Sequence, residues 1–125
     1  MDCFKYHFDE ETEILYKYYY GPITVKEIYS SWDYAIEYNL IPQETRGIIL
    51  DYTKAHFNFP IKEHGRIAEY YRDHIDVFRN QRIAILTQSD RDVIVPTLVE
   101  LKDDGYSSRP FFTLNAAISW VLGSK

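Results

Sequence analysis

A single cysteine, Cys3, excludes an intrachain disulfide. That fits a reducing compartment or is simply neutral. The five glycines never cluster, so no loop of the kind that cradles a phosphate is present. Runs of basic residues are missing, and the formal net charge is −5. A nucleic-acid partner is therefore not expected, because phosphate binding needs a basic stripe. Bulk attraction to an anionic membrane is not expected either. Long apolar runs are also missing; the longest, such as Ile83-Ala84-Ile85-Leu86, are far too short to span a bilayer. The opening stretch MDCFKYHFDEE alternates apolar and polar residues and lacks an apolar h-region, so it does not read as a signal peptide. The cytoplasm is the expected location. No His-x-x-x-His, Cys-x-x-Cys or carboxylate-rich loop occurs, so neither a metal nor a cofactor is expected. His64 and His74 lie ten residues apart, roughly 15 Å along a helix, too far to share one ion.

What is present suits one globular domain over residues 1–125. Apolar residues make up 46 % and charged residues 26 %. No internal repeat or Gly/Ser linker divides the chain. Twelve tyrosines stand out. Each combines an apolar ring with a polar tip, which suits half-buried surfaces and interfaces.

Phe4, Tyr6 and Phe8 alternate with Lys5 and His7, the pattern of a half-exposed strand. A polar turn leads to EILYKYYY, residues 13–20, and the pair reads as a hairpin ended by Gly21-Pro22. Thr24 and Glu27 form a capping box. Val25, Ile28, Trp32, Ala35 and Ile36 follow at helical spacing to near Asn39. Gly47-Ile48-Ile49-Leu50 reads as a strand covered on both faces, ending at Asp51. Asn58 and Pro60 start a second helix with Ile67, Tyr71, Ile75 and Phe78 inside. A second buried strand over residues 83–86 precedes a third helix striped by Ile94, Leu98 and Leu101. Asp103-Asp104 before Gly105 reads as its solvated end. Pro110-Phe111-Phe112 makes a short last strand, and Thr113 caps a helix carrying Leu114, Ala117, Ile118, Val121 and Leu122. The order β-β-α-β-α-β-α-β-α predicts an α/β fold with a mostly parallel sheet and an antiparallel first strand.

That order, the strand ending in Leu50-Asp51 and the closing stretch PFFTLNAAISWVL (residues 110–122) resemble the STAS domain, the fold of bacterial anti-sigma-factor antagonists. The stretches GIILDY, IAEYY and DDGY are similar to its STAS/SEC14-like offshoot, small single-domain bacterial proteins. The resemblance implies a non-catalytic, SpoIIAA-like partner-binding role, or binding of a lipid-like ligand by analogy with SEC14 domains. In anti-sigma antagonists a Ser or Thr at the start of the second helix is phosphorylated, in a segment resembling Asp-Ser-Ser-Gly. Here residues 55–60 read Ala-His-Phe-Asn-Phe-Pro without a hydroxyl, so the switch is not carried over.

In an open α/β sheet ligands gather beyond the carboxyl ends of the strands. Tyr20 to Pro22, Asp51 to Phe59, Thr87 to Asp90 and Phe112-Thr113 are expected to meet there. The candidate binding residues are Asp51, Thr53, Lys54, His56, Phe57, Phe59 and Ser89. Lys54 and His56 suit an anionic group, and Phe57 and Phe59 an apolar tail. Asp51 has the competing structural reading of a carboxylate bonded to nearby amides. The alternative function is a small enzyme with His56 as acid or base and Asp51 as its orienter, which requires the two within hydrogen-bond reach. Tyr16, Tyr18 and Tyr20 share one side of their strand. They are candidates for an interface, including that of a homodimer through the sheet or the first strand.

Overall fold

The alternation of Phe4, Tyr6 and Phe8 with Lys5 and His7 does build a strand. In the computed structural model, which describes residues 3–123, β1 (Phe4–Asp9) turns back into β2 (Ile14–Ile23). The chain continues through α1 (Val25–Glu37), β3 (Gly47–Phe57), a 3₁₀ turn (Ile61–Glu63), α2 (His64–Asp73), a single turn α3 (Ile75–Phe78), β4 (Arg82–Leu86), α4 (Ile94–Glu100), β5 (Ser107–Phe111) and α5 (Leu114–Leu122). The five strands lie in sequence order in one sheet. β1 runs antiparallel to β2, and all other neighbours are parallel. This is the α/β architecture expected from the element order.

Each strand divides its side chains between two unequal layers. Leu15, Tyr19, Ile48, Leu50, Ile83 and Ile85 face α1, α2 and α4 in the main core. Ile14, Ile49 and Ala84 face the opposite side and meet Ala117 and Val121 of α5. Two covering layers explain why Gly47–Leu50 is apolar without interruption. Gly47 is needed where α5 crosses: a Cβ there would collide with Val121 Cγ1 and lie 3.1 Å from the Arg82 carbonyl oxygen.

The capping box at α1 is complete. Thr24 Oγ1 accepts from Glu27 N at 3.2 Å, and Thr24 N donates to Glu27 Oε1 at 2.9 Å. Thr113 likewise caps α5 by accepting from Ala116 N.

Several expectations are corrected: Gly21-Pro22 does not end β2, which pairs through both residues and runs on to Ile23. The second helix breaks at His74 (φ −114°, ψ 37°), so Ile75 and Phe78 belong to a separate turn. His74 Nδ1 lies 2.9 Å from the Tyr70 carbonyl oxygen, and its ring stacks on Tyr70 at 4.0 Å. In α4 the buried residues are Val95, Pro96 and Val99, while Ile94 and Leu101 are exposed. The turn before Ile94 sets this phase: Ser89 Oγ accepts from Asp92 N at 3.2 Å. Asp103 is not a solvated helix end. It is half-buried and accepts from Ser108 N at 2.5 Å and Ser108 Oγ at 2.8 Å, and burial pushes its carboxyl above the usual range. Those contacts start β5 at Ser107, three residues before Pro110.

Candidate functional site

A further correction shapes the site. β3 does not end at Asp51; it continues to Phe57. β2 pairs with it from Ile14↔Gly47 to Tyr18↔Asp51, then again from Tyr20↔Lys54 to Ile23↔Phe57. Two steps along β2 match three along β3. Opposite Tyr19, β3 therefore carries one extra residue, a bulge at Tyr52-Thr53. A one-residue insertion exchanges the faces of everything that follows. Asp51 and Tyr52 obey one parity, while Lys54, His56 and Phe57 obey the other. As a result Tyr52 and Phe57 both enter the core, and Lys54 and His56 both stay exposed. Asp51 Oδ1 secures the bulge, accepting from Thr53 N at 2.8 Å and Thr53 Oγ1 at 2.7 Å. The structural reading of Asp51 describes what this carboxylate does.

β4 stops at Leu86, opposite Asp51. Beyond that point β3 keeps only β2 as a neighbour, and the two project past the sheet as a ribbon. Hydrogen bonds close the tip of this ribbon, tie it to the loop after β4 and join β4 to β5. Asn58 N donates to Ile23 O at 2.7 Å, Arg91 Nη1 to Phe57 O at 3.0 Å, and Thr87 N to Phe111 O at 3.0 Å. The ends of β2, β3, β4 and β5 thus form one continuous rim, as the sheet order requires.

The rim does not offer the apolar site expected of it. Phe57 and Phe59 are 4 % and 8 % exposed. Phe57 packs against Tyr52 at 4.6 Å and Phe59 at 5.3 Å between ring centroids. The apolar cavity beside Phe57, lined also by Tyr52, Ile67, Tyr71 and Val95, measures about 20 Å³. That is room for about one water and not for an acyl chain. Ser89 is half-buried and occupied by its cap to Asp92. The acid–base pair is not assembled. Five strand positions separate Asp51 from His56, roughly 15 Å, and Asp51 bonds Thr53 instead.

A concave surface does exist on the side of the sheet that α5 leaves open. It is a shallow groove of about 370 Å³ lined by Lys5, His7, Tyr18, Tyr20, Asp51, Thr53 and Lys54. Register explains the assembly: Lys5, Tyr18 and Asp51 stand side by side on three strands. Tyr16 and Tyr18 stack at 6.1 Å, and Tyr20 is 37 % exposed. Desolvation, with Asp51 and Tyr20 nearby, pushes the Tyr18 hydroxyl above its usual range. Lys54 belongs to both groove and rim. The contribution of Lys5 and His7 is absent from the sequence reading; its only signal was their place on the solvent side of an alternating strand.

Lys17 was likewise unforeseen. It is fully buried, with Nζ 2.5 Å from Ser31 Oγ and 3.7 Å from the Trp32 ring centre, beside Tyr19 and Tyr6. Ser31 Oγ donates its own hydrogen bond to Ile28 O at 2.8 Å, so it accepts from the lysine. No carboxylate among the described residues pairs with Lys17, and burial pushes its ammonium well below the usual lysine range.

Among the described residues, no cluster of three or more His, Cys, Asp or Glu is placed to hold a metal, and no helix is long and apolar enough to cross a membrane. No family model matches the chain, and no curated protein matches it. Among solved structures it is similar to an uncharacterized protein of the DUF3478 family from Shewanella loihica PV-4, described as having a SpoIIAA-like fold. The two share 15 % identity with a TM-score of 0.65, over 97 % of this chain and 95 % of that one. At that identity the likeness concerns architecture, and the chain has the SpoIIAA-like, STAS-type fold.

Proposed function

We propose that the chain is a non-catalytic binding module that recognises a protein partner with the β2–β3 ribbon and the rim behind it. One observation carries this reading: β3 runs past the last pairing with β4 and holds Lys54 and His56 out in solvent, while hydrogen bonds hold the segment at Thr53 and at Phe57. A stiff, exposed and well-anchored projection suits recognition of a large surface. The 3₁₀ turn beyond it adds exposed Lys62. No ion pair among the described residues engages Lys54 or Lys62. On a chain with net charge −5 this locally basic edge fits an acidic segment of the partner.

The filled space beside Phe57 favours a protein over a lipid-like ligand. Two measurements test the reading together. Solvent extraction of purified protein, followed by mass spectrometry, is expected to release no stoichiometric lipid. Affinity capture from the producing cells is expected to retain one partner at low salt and release it as salt rises. A lipid at one equivalent, or a partner whose retention ignores salt, would remove the proposal in this form.

A further inference from the structure

The two edges of the sheet are not equally protected. At one edge β5 has five residues, includes Pro110 with no amide to offer, and carries Arg109 bridged to Glu100 at 3.2 Å. Short length, proline and charge are the devices that keep an edge from pairing. At the other edge β1 has six residues and neither proline nor bulge. Cys3 O accepts from Tyr20 N, and Asp9 O from Glu13 N. Odd-numbered residues therefore turn their peptide groups toward β2. By the period of two, Phe4, Tyr6 and Phe8 turn theirs outward.

A second observation concerns α1. Ser31, Tyr34 and Tyr38 follow one line of this helix and its cap. The Tyr6 hydroxyl donates to Ser31 O, and the Tyr34 ring meets Phe4 at 6.1 Å, so this line lies above β1. Tyr34 and Tyr38 touch at 4.7 Å between centroids, yet they remain 48 % and 59 % exposed. An open strand edge roofed by exposed aromatic rings is equipped to receive another strand.

We propose that the strand received is β1 of a second copy, paired antiparallel across a two-fold axis at His7. A continuous sheet keeps Phe4, Tyr6 and Phe8 on the helix side in both copies. Opposed residues then share parity, and the axis must pass through a residue. At Lys5 it would oppose two lysines. At Tyr6 it would set Lys5 against His7. At Phe8 it would leave little strand to pair. At His7 it sets Lys5 opposite Asp9 of the second copy on both sides, and it sets Tyr6 opposite Phe8, whose peptide groups already face outward. Charge complementarity and hydrogen-bond direction agree only there. The Tyr34–Tyr38 pairs of the two copies then flank the seam on one face.

Sedimentation velocity across a concentration series and a cysteine scan test this on the full chain. In a Cys3→Ser background, His7→Cys places its two copies at a non-hydrogen-bonded pair, with Cα atoms ~4.5 Å apart, inside disulfide reach. Lys5→Cys places them roughly 13 Å apart along the strand. The expected result is a species of twice the monomer mass for wild type, near-complete crosslinking of His7→Cys under mild oxidation, and little for Lys5→Cys. A wild type that stays monomeric throughout, which leaves the edge free for some other strand, would overturn the proposal. So would crosslinking at Lys5→Cys equal to that at His7→Cys. Neither result bears on recognition by Lys54 and His56, which stand on β3 with β2 between them and β1.

Discussion

The two halves of β3 obey different rules. Gly47 to Tyr52 lies under helices on both faces, with Ile48 to Asp51 paired to both β2 and β4, and its side chains are almost all buried. Thr53 to Phe57 has one strand neighbour and alternates between core and solvent. A single bulge, secured by Asp51, separates them. Substitution in the first half acts on stability. In the second half the solvent-facing residues are free to act on recognition, because little packing depends on them.

The sharpest contrast comes from Ile48, which is 0 % exposed. Ile48→Ala is expected to cost ~2–4 kcal/mol in urea unfolding, from lost burial and a residual cavity. A loss below that of an exposed position would deny that the first half is core.

Lys17 sits opposite Leu50 in the same half and tests it with the other sign. Contact with aromatic faces returns ~2 kcal/mol or more to a desolvated cation. One hydrogen bond to a hydroxyl adds about 1 kcal/mol. Removing an ammonium from water costs several kcal/mol, so desolvation wins. Lys17→Met is therefore expected to stabilise the fold, by ~1–3 kcal/mol. The pH dependence follows. With the folded lysine held below its unfolded value, the unfolded chain binds more protons between the two. Wild-type stability should then climb as pH rises through that window, toward the unfolded value of about 10.4. Lys17→Met should flatten the climb. A destabilised Lys17→Met, or an unchanged pH profile, would mean that the aromatic box outweighs burial.

Asp51 is the junction. Asp51→Ala removes two charge-assisted bonds and frees the Thr53 amide, at an expected cost of ~1–2 kcal/mol. Amide exchange should quicken at Thr53 and Lys54 before it quickens at Ile48. Uniform quickening along β3 would show that the halves do not separate. The smallest expected effects are at Lys54→Ala and His56→Ala, each within ~0.5 kcal/mol of wild type in the same unfolding assay.

Much of the first half was readable from residues alone, and little of the second. The apolar run from Gly47 to Leu50 has one reading, because only a doubly covered strand affords it. Thr24 and Glu27 announce α1, and Thr113 announces α5, through local hydrogen bonds that need no distant partner. The run from Asp51 to His56 looks like a polar loop because the bulge hides the alternation; restoring it needs the register of β2. The phase of α4 is hidden in the residues for a related reason. Ile94, Leu98 and Leu101 are spaced as well as Val95 and Val99, and only the Ser89–Asp92 turn decides which set faces inward. Lys17 has a lysine's polarity and a core position; its neighbours Leu15 and Tyr19 share its face, and the other rings that enclose it, Tyr6 and Trp32, come from β1 and α1. For the site, sequence order placed the loops on one rim, but it did not foresee that Phe57 and Phe59 fill the core there.

The most direct test pairs Lys54→Glu/His56→Glu with Glu44→Lys, an exposed change in the loop that leads into the opposite end of β3. Each serves as bait in affinity capture beside wild type, with urea unfolding run on the same preparations. Lys54→Glu/His56→Glu is expected to fold with wild-type stability and lose the captured partner, while Glu44→Lys keeps it. Retention of the partner by Lys54→Glu/His56→Glu, or its loss from Glu44→Lys, would contradict the assignment of recognition to the ribbon.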